Sequence, residues 1–268
     1  MGTEYLGYRD GDAATPFGVF FEPEMAELPR HVVAALEHGP QAEPTLLAFD
    51  DTHTLDDEGY HQTENGYGLC RDGSVRVAVL TDMPEVTPVM WEWWFGWHGS
   101  DARRYKLWHP RAHVSAAWQD GDDRRRRGSA RYVGRTSLVT EYIGSSMLRA
   151  AIRFVPPSAF GLPAADSNVV PICARLGSSD VPVDAGWLVH HIRPTSDGSE
   201  MRSRFWLGGP HIAVRKAPGV ANRVARPVAS RILGATVDYA RDLLVHCAQE
   251  MNHLAAFLPA LYEQFGGE

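Results

Sequence analysis

Two residues four apart near the C-terminus, His246 and Glu250, carry the clearest chemical signal in this 268-residue chain. On a helix, positions i and i+4 leave the same face about one turn apart. The pair shares its row with Leu243, Leu254, Phe257 and Leu261, all apolar. An imidazole and a carboxylate among such neighbours need a partner. Two readings supply one: a local His–Glu hydrogen bond on a partly wet face, or a metal ion held by both. Glu141 favours the metal. It lies in Thr136 to Ser146, a stretch otherwise free of charge, and strand alternation groups it with Val139 and Ile143, toward the core. His113 lies in another strand pattern. Together His113, Glu141, His246 and Glu250 make a His₂Glu₂ set, nitrogen and oxygen donors that suit zinc and that iron or manganese also accept. His109, four residues before His113, is an equal contender on spacing alone.

A further group comes from a hairpin around Ser196-Asp197-Gly198-Ser199. Alternation puts Leu188, His190 and Ile192 on one face, opposite Met201, Ser203, Phe205 and Leu207, while His191 and Arg193 take the other face. A lone inward histidine is usually a satisfied core residue. One whose strand faces the helix bearing His246 and Glu250 is also a candidate for the site. G-x-S-x-G, Walker, G-x-G-x-x-G and H-E-x-x-H patterns are missing from the sequence, so serine-hydrolase and nucleotide readings lose their main support.

These side chains need elements to carry them. Residues 1–70 read as a small, turn-rich N-terminal region with one helix from about Glu22 to Leu36, and residues 71–268 as the main unit. Val75–Leu80 reads as a strand, and Thr87-Pro88 opens a short aromatic helix, Trp91 to His98. From Tyr105 onward the pattern turns to strands: His113, Ser115 and Ala117 on one face, Val114, Ala116 and Trp118 on the other. Residues 131–143 and 147–155 follow around Gly144-Ser145-Ser146. After a proline-rich loop come 171–177, 186–193 and 201–207. A helix from about Val228 to Phe265 closes the chain before Gly266-Gly267. Successive strands followed by one long amphipathic helix predict an α+β fold, an antiparallel sheet curled around that helix.

Composition narrows the function classes. A net charge of -7 argues against nucleic acid as partner. The run Arg124 to Arg127, flanked by Asp120, Asp122, Asp123 and Gly128, reads as a solvated loop tip. Three scattered cysteines (Cys70, Cys173, Cys247) suggest a reducing compartment. With a polar start, Met1 to Asp12, and no apolar run of membrane length, the expectation is a cytoplasmic protein with no membrane partner.

Taken together, Tyr105-Lys106-Leu107-Trp108-His109-Pro110-Arg111-Ala112-His113, the strand-borne Glu141, the segment His190 to Gly209 and the helical His246/Glu250 pair resemble the 2,4-diacetylphloroglucinol hydrolases, a family that includes phloretin hydrolase. The likeness runs from about residue 75 to the C-terminus. It implies a helix-grip (Bet v 1-like) fold and a zinc held by His113, Glu141, His246 and Glu250. It also implies a phenol-binding Tyr105 and an active-site His190; either Glu141 or Glu250 is then a candidate base. A family asparagine that contacts substrate falls on Ala116, and a second phenol-binding tyrosine falls on Phe205. The implied reaction is hydrolysis of the carbon–carbon bond between an acyl group and a phloroglucinol-like ring or β-diketone carbon. Its partner would be a small acylated phenol or β-diketone, and a homodimer is one option for its assembly. Rival readings are a helix-grip carrier of an apolar ligand and a metal-dependent lyase or cyclase acting on a polyketide. The discriminator is the quartet, because a carrier has no need of two inward glutamates.

Overall fold

The computed structural model describes residues 7–9, 11–123, 125–166, 168–216 and 235–267. Nine strands make one antiparallel sheet: β1 (Gly66–Leu69), β2 (Ser74–Pro84), β3 (His113–Trp118), β4 (Thr136–Ile143), β5 (Ser146–Val155), β6 (Val170–Ser178), β7 (Val183–Pro194), β8 (Gly198–Gly208) and β9 (Ala213–Val214). Their order in space is β1-β2-β8-β7-β6-β5-β4-β3, with β9 paired to β7 off that path. Five helices accompany them among the described residues: α1 (Arg30–His38), α2 (Pro88–Trp97), α3 (Ala102–Trp108), α4 (Val237–Ala255) and α5 (Leu258–Phe265). The inner face of the sheet packs on α4, whose Ala240, Leu244, Cys247, Met251 and Leu254 are all fully buried. This is the α+β helix-grip arrangement.

The hairpin pairs Leu188 with Phe205, His190 with Ser203 and Ile192 with Met201, the partners that alternation selects. Other elements differ from expectation, each for a local reason. Tyr105 does not begin a strand; it sits in α3, which Asp101 starts by accepting a hydrogen bond from the Arg103 N–H. Seven residues are too few for helical periodicity to register. The closing helix is two helices. Pro259, near the start of α5, lacks the N–H that would continue the α4 ladder. The expected start near Val228 lies outside the described residues, as does Arg124 of the basic run. Thr136, not residue 131, begins β4, because Gly128–Arg131 form a 3-10 turn and Gly134 adopts a φ of 81°. The four-residue β1 falls inside the segment read as irregular and pairs with β2.

The outer face of the sheet is covered too. Phe49 stacks on Trp187 at 5.3 Å, and the Trp206 indole donates to the Leu47 carbonyl at 2.9 Å. A second apolar cluster gathers there around Leu55, Phe160, Cys173 and Val189. Charges under this layer are paired: Glu64 accepts from Arg202 at 2.7 Å and from Arg204, and His191 lies 3.3 Å from Asp56. Burial alone would raise the Glu64 carboxyl, but the Arg204 and Arg202 guanidiniums override it and hold it down to about 2. An unfolded glutamate titrates near 4.3, so this group contributes stability fully above that pH and loses it as the pH falls toward about 2. Glu64→Gln should cost about 2–4 kcal/mol at pH 7 by stranding two buried guanidiniums. In urea melts the gap from the parent should close between about pH 4 and 2; a gap independent of pH would contradict the pairing.

Candidate metal centre and cavity

β3 and β4 place the first two groups opposite each other: His113 and Glu141 are ladder partners. A β-bulge between His113 and Ser115 then resets the phase of β3. Plain alternation puts His113 on the face away from Ala116 and Trp118, whereas the structure buries all three and exposes Ala117. The extra residue turns the strand locally and aims the imidazole at the core. From the other side α4 supplies His246 and Glu250, both buried.

Donor atoms converge there. Nε2 of His113 lies 3.4 Å from Glu250 Oε2 and 3.6 Å from Glu141 Oε2, and Nε2 of His246 lies 3.7 Å and 3.9 Å from the same two oxygens. Atoms of His113, His246 and Glu250 all fall within 4.8 Å of one another. These separations are too long for good hydrogen bonds. The two from His113, 3.4 and 3.6 Å, match the edges of a tetrahedron with bonds of about 2.0–2.2 Å, which are about 3.3–3.6 Å, and the two from His246, 3.7 and 3.9 Å, are longer. His109 takes another role: its ring stacks on His246 at 4.8 Å.

The histidine tautomers fit a cation as well. Nδ1 of His113 is 2.9 Å from the Tyr105 carbonyl, which can only accept, so Nδ1 carries the proton and the Nε2 lone pair faces the carboxylates. The His246 ring hydrogen-bonds to the backbone of Tyr142. Burial, aided by the neighbouring His246 and His109, pushes His113 well below the usual imidazole range, and burial takes His246 down to about 4. Both are therefore neutral, the form that ligates. Burial raises Glu141 against the pull of its Tyr105 hydrogen bond, and burial with repulsion from Glu141 raises Glu250. A divalent cation is the partner that would keep both carboxylates ionised.

Beside this cluster is a cavity of ≈ 320 Å³, into which Glu141, His246 and Glu250 project. Tyr105, presented by α3, lines it, donates its hydroxyl to Glu141, and stacks its ring parallel on His113 at 3.7 Å. His190 lines it farther along, its Nδ1 2.7 Å from the Ser203 hydroxyl, and burial pushes its pKa down to about 3. Phe205 stands edge-on to His190 with centroids 5.9 Å apart. Ala116 is buried in the core and is not among the lining residues.

Among the polar lining residues that escaped the sequence reading are His98 and Tyr239. His98 follows α2, with Nδ1 2.9 Å from the Trp94 carbonyl, so its Nε2 is an acceptor. Tyr239 lies on α4 seven residues before His246. Each had a signal: His98 is four after Trp94 in the aromatic helix, and Tyr239 continues the His246/Glu250 row by one heptad.

Fold and site define an α+β helix-grip protein in which a candidate metal centre opens onto an internal cavity. The chain belongs to the DAPG hydrolase family: residues 46–263 match the model described as "DAPG hydrolase PhiG domain". It is 31% identical to 2,4-diacetylphloroglucinol hydrolase of Pseudomonas protegens, over 94% of this chain and 85% of that one. It is 27% identical to phloretin hydrolase of Eubacterium ramulus, over 97% and 93%. Among solved structures, Ara h 8.0201 is similar in outline over 64% of this chain and 98% of that one, at 9% identity and a TM-score of 0.34; nothing below depends on it. No described helix is long and apolar enough to cross a membrane.

Proposed function

We propose that this protein is a zinc-dependent hydrolase that cleaves the carbon–carbon bond between an acyl group and a phloroglucinol-like ring or β-diketone carbon. The observation that carries the reading is the convergence of two neutral imidazoles and two carboxylates, Glu250 buried and Glu141 half-buried, at separations of 3.4 to 3.9 Å beside a cavity. The relatives' names, a diacetylphloroglucinol hydrolase and a phloretin hydrolase, support the substrate class. His113, Glu141, His246 and Glu250 would hold zinc, which supplies Lewis acidity to the acyl carbonyl and to water.

The chain's own groups handle protons and orientation. An aryl carbanion leaves poorly, so the ring carbon is first protonated to give a keto tautomer, from which an enolate can depart. Water adds to the acyl carbonyl, the carbon–carbon bond breaks, and the acyl group leaves as a carboxylic acid. The ring enolate returns to a phenol. His190, neutral and fixed through Ser203, is placed to move a proton at the ring. Tyr105 keeps its proton, because burial and the adjacent Glu141 raise its hydroxyl well above the usual phenol range. It could donate to a substrate oxygen only where that oxygen takes the place of Glu141 as its acceptor. Glu141, hydrogen-bonded to Tyr105, is the carboxylate best placed to exchange a proton with water.

The reading is tested with acetylphloroglucinols, phloretin and simple β-diketones, scored for carboxylic acid and deacylated product. At least one of them should give stoichiometric acid and ring. Unchanged substrate throughout, with zinc bound, would exclude this reaction class. Family membership disfavours the carrier reading, and a buried carboxylate such as Glu250 is costly in a purely apolar ligand cage.

A further inference from the structure

Phe205, on β8, gives that wall of the cavity a ring without a hydroxyl. Across the cavity stands Tyr239. Helix α4 runs antiparallel to β8. At one end a Cβ on Gly208 would sit 3.5 Å from the Ala235 nitrogen, and at the other Cys247 hydrogen-bonds with Ser203. The ten helical steps from Val237 to Cys247 at about 1.5 Å each and the five strand steps from Gly208 to Ser203 at about 3.3 Å each cover nearly the same length. Tyr239, near the start of this span, is therefore level with the Leu207 end of the facing wall. Its backbone position is pinned by the Thr236 cap, whose hydroxyl accepts from the Tyr239 N–H at 3.1 Å.

Tyr239 shares a stripe of α4 with His246 and Glu250, at spacings of seven and eleven. Tyr105 already spends its hydroxyl on Glu141, whereas the Tyr239 hydroxyl has no hydrogen bond among the described residues. Burial, with Glu141 nearby, raises it above the usual phenol range, so it remains a donor. Tyr239 is half-buried and lines the cavity, and a hydroxyl there without a protein partner is open to a ligand.

We propose that Tyr239 is a substrate-positioning residue whose hydroxyl donates to a ring or carbonyl oxygen of the substrate, giving the α4 side of the cavity a donor that Phe205 cannot supply from β8. This rests on the acylated-phenol reading. It implies that the preferred substrate carries an oxygen on the side facing α4.

The test is calorimetric binding of 2,4,6-trihydroxyacetophenone and of acetophenone to the zinc-loaded protein, its Tyr239→Phe variant and the double variant Tyr239→Phe/Phe205→Tyr. Losing one neutral hydrogen bond should weaken trihydroxyacetophenone binding about three- to ten-fold and leave acetophenone unchanged. The double variant should recover most of the loss, which a merely structural role for Tyr239 would not allow. Equal losses for both ligands, or none for either, would overturn the proposal. If the unaltered protein binds neither ligand, both this proposal and the substrate class fall. If it binds the hydroxylated ring without cleaving any acylated phenol, only the hydrolase reading fails, and the Tyr239 contrast stands.

Discussion

Replacing Glu250 with glutamine should leave the folded protein intact yet lower its activity by more than about 100-fold, the upper range for losing a group that merely supports a metal ligand. Glutamine copies the shape of a protonated carboxyl, the form toward which burial and Glu141 drive Glu250 when no cation compensates. Thermal stability without added metal should therefore change little. Its response to metal should change a great deal: a bound ion at 1,000 times its Kd stabilises by about 4 kcal/mol, and the variant should lose most of that gain. His246→Ala should behave alike in metal response, since its Nε2 faces the same two oxygens. A variant whose melting temperature still rises with zinc as the parent's does would show that the ion, if any, sits elsewhere.

His190→Ala gives the second large effect and separates proton transfer from metal binding. His190 lies outside the donor cluster, held by Ser203 and packed edge-on to Phe205. A positioned acid or base contributes about 10²–10⁴-fold, so kcat should fall within that range while zinc content and the metal-dependent rise in melting temperature are kept. The variant leaves the Ser203 hydroxyl facing a gap that water can fill, so the stability cost should be modest. Loss of zinc together with activity would instead make His190 part of the metal site.

How much of this was legible depends on what each residue had to signal. The hairpin was readable in full, because period-two alternation fixes which of Leu188, His190 and Ile192 meet Phe205, Ser203 and Met201. The His246/Glu250 pair was singled out by its four-residue spacing on an apolar helix row, which a local hydrogen bond would also explain, and the inward Glu141 favoured a metal. The bulge after His113 was not: one extra residue leaves no compositional mark, and it inverts the faces of everything that follows in β3. Tyr105 was singled out, but its element was misread, since α3 is too short to display a period. The break between α4 and α5 was written in Pro259 and overlooked within a long apolar pattern. Tyr239 and His98 show a different limit. Aromatic and histidine side chains on core rows are usually packing, and only the shared cavity shows that these two line it.

Elemental analysis of protein purified without chelator or added metal tests the central claim most directly, set beside the same measurement on His246→Ala/Glu250→Ala. The account predicts about one zinc per chain in the first and close to none in the second, with both proteins folded. Metal-free active protein, or a double variant that retains a full equivalent, would contradict it.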